Sequence, residues 1–206
     1  MAALQSIVLV AYPFAVYFAL GVASPRVIGL VTLAFLGLRL AWLAPGRLAA
    51  VARVFGPAAL VYGLTSLVAA VASDARALLL APALFSFALL AVFASSLARS
   101  ESAIEILARA QVGELPADEV PYCRSVTLVW CAFFALNGAL SAGLALFGSR
   151  ESWAVWSGAL SYALMGAVFA GEYVYRHWRF RRYRGGVADP LLRRLFPPPG
   201  EPSLRR

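Results

Sequence analysis

The chain has 206 residues, 62% hydrophobic and only 14% charged, with a formal net charge of +8. An average soluble domain carries about 25% charged residues, and soluble cores do not hold apolar runs this long without interruption, so an ordinary water-soluble domain is excluded. All 18 basic residues are arginine and they concentrate toward the C-terminus, which points to an anionic lipid surface rather than to nucleic acid.

A helix needs roughly 20 apolar residues to cross about 30 Å of hydrocarbon. On that measure the chain reads as all-α and polytopic, with residues 1–184 forming one membrane domain of six transmembrane helices. The first covers residues 4–23 and contains Tyr12-Pro13. It is too long for a signal-peptide core and lacks a basic n-region, so it reads as an uncleaved helix. Ser24-Pro25-Arg26 turns the chain into the second helix, residues 27–43, which stops before Pro45-Gly46. The third is expected over residues 55–73, with Pro57 in its first turn. Asp74-Ala75-Arg76 then leads into the fourth, residues 77–98.

The longest polar stretch follows. Residues 102–111 read as a short amphipathic helix. Ser102 and Glu105 have capping-box spacing. Ile104, Leu107 and Ala108 share a face, and Glu105 pairs with Arg109 one turn on. Gly113 ends the segment. The fifth transmembrane helix is predicted over residues 122–147 and the sixth over residues 153–175, joined by Gly148-Ser149-Arg150-Glu151. The sixth runs into a segment that alternates arginines with aromatics. Residues 185–206 read as a disordered basic tail, with at most one surface turn over 190–196.

The short links imply three antiparallel hairpins. With both termini in the cytoplasm, 14 arginines fall inside and three outside, with Arg39 within the second helix. That asymmetry sets the expected orientation and puts Trp153 and Trp156 at the outer interface.

Asn137 stands 13 residues from both Arg124 and Arg150, about 20 Å from either end and close to the midplane. A polar amide there needs a partner, and Ser161 or Tyr162 on the sixth helix falls at similar depth. The bland account is an interhelical hydrogen bond; the sharper one is contact with a substrate or ion. Glu172 lies 19 residues after Trp153, about 29 Å along the helix. That places it at the cytoplasmic interface, where an ion pair with Arg176 explains it. The lone histidine, His177, is expected to be solvated or headgroup-facing. Glu101, Glu105, Arg109, Arg124, Glu172, Arg176 and His177 together form the candidate cytoplasmic interface. Two ladders of small residues, Ala135-Ala139-Gly143 and Ala163-Ala167-Gly171, predict close packing of the last two helices. Cys123 and Cys131 match no zinc spacing and read as packing residues. No catalytic, metal, cofactor or nucleotide motif stands out.

One stretch carries a resemblance. ESAIEILAR over residues 101–109, Leu115-Pro116, YCRSVTLVWCAFFALNG over 122–138 and SYALMGAVFAGEY over 161–173 resemble a family of bacterial inner-membrane proteins. Its members are encoded beside acyl carrier proteins, ketosynthases, dehydratases and acyltransferases of aryl-polyene or xanthomonadin-type pathways, and some carry the label "ketosynthase". Nothing in this chain supports a thiolase-like condensing enzyme. The resemblance covers the second half well, and the first half by hydropathy and Tyr12-Pro13. It implies a multi-pass protein of the bacterial inner membrane, with membrane lipids, pathway enzymes or acyl carrier protein as partners, and it brings no catalytic residues. Three functions remain open. One is a non-catalytic accessory or scaffold component of a lipid-linked polyene or fatty-acyl pathway. Another is a small transporter or flippase for an apolar metabolite. The third is a membrane-embedded acyltransferase, for which Glu172 with His177 is the only acid–base pair on offer.

Overall fold

A computed structural model describes residues 15–41, 48–183 and 188–198. Every regular element among them is helical. The helices are α1 (the described residues 15–22), α2 (Pro25–Ala41), α3 (Leu48–Ala72), α4 (Ala75–Leu97), α5 (Ala103–Val112), α6 (Val120–Phe147), α7 (Arg150–Val155), α8 (Ser161–Phe180) and α9 (Asp189–Leu195). A 3-10 turn, Ala117–Glu119, precedes α6, and a π-helical segment, Trp156–Leu160, joins α7 to α8. The chain divides into two compact units, Met1–Tyr162 and Ala163–Arg206.

Among the described residues three helical stretches are long and apolar enough to cross a membrane: Ala75–Leu97, Ala117–Phe147 and Arg150–Phe180. Pro25–Phe35 and Leu60–Ala72 are apolar but shorter. Most of the expected first span, residues 4–14, lies outside the described residues, as does Arg47. The expected third helix begins earlier than the sequence suggests. α3 is already helical at Leu48, so Pro57 lies inside it rather than in its first turn. Proline is tolerated there because neighbours in a helical bundle can satisfy the freed backbone group.

The turns follow from local chemistry. Ser73 takes a left-handed conformation, φ 56°, and closes α3 through its N–H to the Ala69 carbonyl at 3.0 Å. Asp74 then caps α4, its carboxylate accepting from the Arg76 N–H at 2.9 Å. Gly113 ends α5 at φ 74°, a conformation that glycine adopts without a Cβ penalty. Ser149 caps α7 by accepting from the Ser152 N–H at 3.2 Å.

In the first unit, α4 packs on both α3 and α6, and α2 packs on α3. The α4–α6 contact runs in opposite chain directions. Leu97 meets Arg124, Ser86 meets Asn137, and Phe93 meets Phe134 edge-on with ring centroids 5.2 Å apart. α6 buries Cys123, Thr127, Trp130, Phe134, Asn137 and Ser141, a stripe of i, i+3 and i+4 spacing. It exposes Leu128, Val129, Leu136, Leu140 and Leu146. Thr127, Asn137 and Ser141 inside and aliphatic residues outside suit an apolar surrounding medium.

Neighbouring helices crowd two glycines, one against backbone and one against a side chain. A Cβ at Gly29 would stand 2.5 Å from the Ser66 carbonyl oxygen and 2.8 Å from the Ala70 nitrogen, so α2 rests directly on α3. A Cβ at Gly138 would stand 2.8 Å from the Phe87 ring. By contrast, Gly143 and Gly171, the glycines of the two small-residue ladders, have nothing within 4 Å of a Cβ position.

Trp153 is 1% exposed, packed with Val16, Ile28, Ala69 and Leu78. Its indole N–H donates to the Leu79 carbonyl at 2.9 Å. Pro82, inside α4, lacks an N–H and so leaves the adjacent Leu78 carbonyl without its helical donor.

Candidate functional site

The best-built polar site sits where α4 ends, α5 begins and α6 starts. The first N–H groups of a helix have no intrahelical acceptor. In α5 three of them go to three different hydroxyls. The Ala103 N–H donates to Ser96 Oγ of α4 at 2.8 Å. The Ile104 N–H donates to Thr127 Oγ1 of α6 at 3.4 Å. The Glu105 N–H donates to Ser102 Oγ, the helix's own cap, at 3.3 Å. The two borrowed hydroxyls are themselves fixed, Ser96 donating to the Phe93 carbonyl at 2.6 Å and Thr127 to the Cys123 carbonyl at 2.8 Å. Ser96, Ser102 and Thr127 are all buried. An apolar cluster of Ala108, Leu115 and Cys123, joined by Ile104, Val112 and Val120, seals the underside.

On this scaffold stands an ion group. Glu105 Oε1 accepts from Arg109 Nη2 at 2.8 Å and from Nε at 3.1 Å. Glu101 lies 3.5 Å from the same guanidinium. Donation to the Glu105 carboxylate, aided by the charges of Glu105 and Glu101, holds the Arg109 guanidinium above its ordinary pKa. Glu105 is 2% exposed, and its Oε2 is buried without a hydrogen-bond partner. The anticipated capping box is therefore half formed, because Ser102 caps as expected while the glutamate turns to Arg109. Arg124 does not join the acids. Its guanidinium donates to the Leu97 carbonyl and, at 3.3 Å, to that of Arg99, closing the C-terminal end of α4.

A second polar locus lies deeper in the same unit. Asn137 is 8% exposed, and its amide N–H donates to Ser86 Oγ at 3.0 Å. Ser86 in turn donates to the Pro82 carbonyl at 2.9 Å. The partner is thus on α4, and neither Ser161 nor Tyr162 takes that role; Ser161 is buried and Tyr162 half-buried. Asn137 Oδ1 and, one turn on, Ser141 Oγ are buried without partners, as are Trp156 Nε1 and Ser157 Oγ of the π-helical segment.

In the second unit Glu172 pairs with Arg176 at 2.7 Å, as the spacing predicts. His177 departs from expectation. It is 7% exposed, not solvated, and the acid it meets is Asp189, whose Oδ1 lies 3.3 Å from Nε2. Nδ1 lies 2.7 Å from the Tyr173 carbonyl oxygen. The Tyr173 hydroxyl donates to the same Asp189 oxygen at 3.1 Å. With its ring nitrogens engaged in this way, His177 does not make an acid–base pair with Glu172.

Sequence reasoning missed Ser86, Ser96, Thr127, Ser141 and Asp189. The first four are hydroxyls on apolar helices, which hide among small packing residues. Ser86 alone left a sign, four residues after a mid-helix proline. Among the described residues no group of three or more His, Cys, Asp or Glu side chains is arranged to hold a metal ion.

Comparison with protein-family models, with curated proteins and with solved structures returned no match. The described residues define a class: a helical protein with three helices among them long and apolar enough to span a bilayer, and a hydroxyl-capped polar ledge at one end of its α4–α6 pair.

Proposed function

We propose that this is a non-catalytic accessory or scaffold protein of the bacterial inner membrane, serving a pathway that builds a lipid-linked polyene or fatty-acyl product. In this reading the chain crosses the membrane six times in three hairpins, both termini are cytoplasmic, and the α5 ledge is the docking face for pathway enzymes or acyl carrier protein. The observation that carries it is the triple capping of α5. A ten-residue helix is marginal alone in water, yet α5 is held by hydroxyls from α4 and α6 and presents Ala110 and Gln111 outward, with Glu101 exposed just before its cap. The resemblance over residues 101–173 supports the pathway assignment.

The test is a deletion strain complemented with Glu101→Lys/Gln111→Arg, two exposed changes that leave the capping intact. Docking predicts a several-fold fall in lipid-linked product at unchanged membrane abundance. Full output at normal abundance would refute it.

A second reading, movement of an apolar metabolite past Asn137 and Tyr162, draws on the unpartnered Asn137 Oδ1 and Ser141 Oγ. Against it stands the closure of the seam, with the Asn137 amide committed to Ser86 and the Phe87 ring against Gly138. Unchanged transfer of product between membranes in Asn137→Ala/Tyr162→Phe would remove it.

A further inference from the structure

The second unit ends in a helix whose inner and outer faces tell different stories. α9 has seven residues, too few to hold its shape alone. It is pinned from within. Asp189 is 5% exposed and Leu192 4%. Asp189 takes the contacts from Tyr173 and His177 described above, and the Tyr183 hydroxyl donates to the carbonyls of Leu192, at 3.1 Å, and Phe196.

The outer face is unlike that of a helix facing water. Leu191 and Leu195, one turn apart, are 62% and 61% exposed. Exposed Arg193 and Arg194 lie between them in sequence. At the end of α8, half-exposed Trp178 and exposed Arg179 and Arg181 line a shallow cavity of about 320 Å³. Arg176 pairs with Glu172 and Asp189 with His177. Arg179, Arg181, Arg193 and Arg194 have no carboxylate partner among the described residues. α8 itself belongs to a stretch long and apolar enough to cross a bilayer, Arg150–Phe180, so the segment after Phe180 stands where a span gives way to headgroups.

We propose that α9 and the end of α8 form a preset interfacial foot that rests on the bilayer surface. Leu191 and Leu195 reach the acyl boundary, and Arg193 and Arg194, with Arg179 and Arg181, hold the phosphates of anionic phospholipids. Leucines flanked by arginines on a short surface helix are the composition of an in-plane membrane contact, and arginines near an anionic leaflet each add to its binding. The Tyr173–His177–Asp189 pin fixes which face of α9 points outward before any lipid arrives. The inference rests on the spanning role of α8 and not on the accessory role.

The experiment is amide hydrogen exchange of the full chain in nanodiscs of phosphatidylcholine alone and with phosphatidylglycerol added. Exchange over residues 188–198 is expected to slow about tenfold in the anionic discs. Arg193→Gln/Arg194→Gln should remove the difference between lipids, and Leu191→Ser/Leu195→Ser should speed exchange in both. Asp189→Asn should speed it too, by releasing the pin. Equal exchange of the parent chain in the two lipids would overturn the proposal. So would equal slowing by soluble glycerol phosphate in the phosphatidylcholine discs, which would make the surface a site for free phosphate. Slow exchange within residues 163–176 in both discs reports the span separately.

Discussion

Ser96→Ala removes one oxygen atom and should free an entire helix. In the parent chain Ser96 Oγ is the acceptor for the Ala103 N–H at 2.8 Å. Ala103 is 1% exposed and Ser96 4%, so water does not replace the lost acceptor without opening the site. A buried donor left without a partner costs about 1–3 kcal/mol. The Phe93 carbonyl, which also loses the Ser96 hydroxyl, keeps its helical bond and adds little. At 1.4 kcal/mol per factor of ten, α5 should open about 5- to 150-fold more often. Amide exchange over residues 103–112, measured by mass spectrometry in nanodiscs, reads that opening directly. Two controls bracket it. Ser95→Ala removes an exposed hydroxyl bonded only within its own helix and should leave exchange unchanged. Thr127→Val removes the longer 3.4 Å acceptor and should act in the same direction more weakly. If Ser96→Ala exchanges like the parent over 103–112, the capping account of α5 is wrong and with it the rigid ledge.

Three further outcomes follow from the packing. Gly29→Ala drives a methyl against the Ser66 carbonyl and Ala70 backbone and should cost about 1–3 kcal/mol, visible as a lower Tm in detergent, whereas Gly143→Ala, with open space around it, should leave Tm within error. Asn137→Ala loses the bond to Ser86 but also relieves the unpartnered Oδ1, so its cost should stay at or below about 1 kcal/mol; a loss of several kcal/mol would mean that Oδ1 has a strong partner. Trp153→Phe keeps most of the buried ring and removes the donor to the Leu79 carbonyl, for an expected loss of about 1–2 kcal/mol in the same melting assay, and a neutral result would show that this carbonyl needs no donor.

Local chemistry was legible in the sequence, and choice of neighbour was not. The Ser102 cap, the Glu105–Arg109 and Glu172–Arg176 pairs and the stops at Asp74 and Gly113 all depend on residues within four positions of one another, and all are present. The partner of Asn137 required knowing which helix faces α6 at that depth. Depth arithmetic points to Ser161 or Tyr162 on the sixth helix, but depth does not say which helix faces α6, and the partner is Ser86 on α4. The apolar patterns that announced α4 and α6 also concealed Ser96 and Thr127, since a hydroxyl among alanines barely alters an apolar profile. The sequence reads α9 only as one surface turn over residues 190–196 of a tail expected to be disordered, and the structure makes it a helix over Asp189–Leu195. Seven residues with proline and two arginines show no periodicity of their own, and the helix exists because His177 and Tyr173 meet Asp189. The π-helical segment at Trp156–Leu160 likewise has no sequence signature that periodicity detects.

The borrowed caps of α5 also impose a timetable. Ser96 lies before the helix in the chain and Thr127 after it, so a nascent chain that has emerged only as far as Pro116 carries one of the two outside acceptors and lacks the other. The ledge can close only when the start of α6 arrives beside the end of α4. Completion of that polar corner therefore records that two apolar helices have found each other, and a chain whose later segment stalls would leave bare amides at that corner.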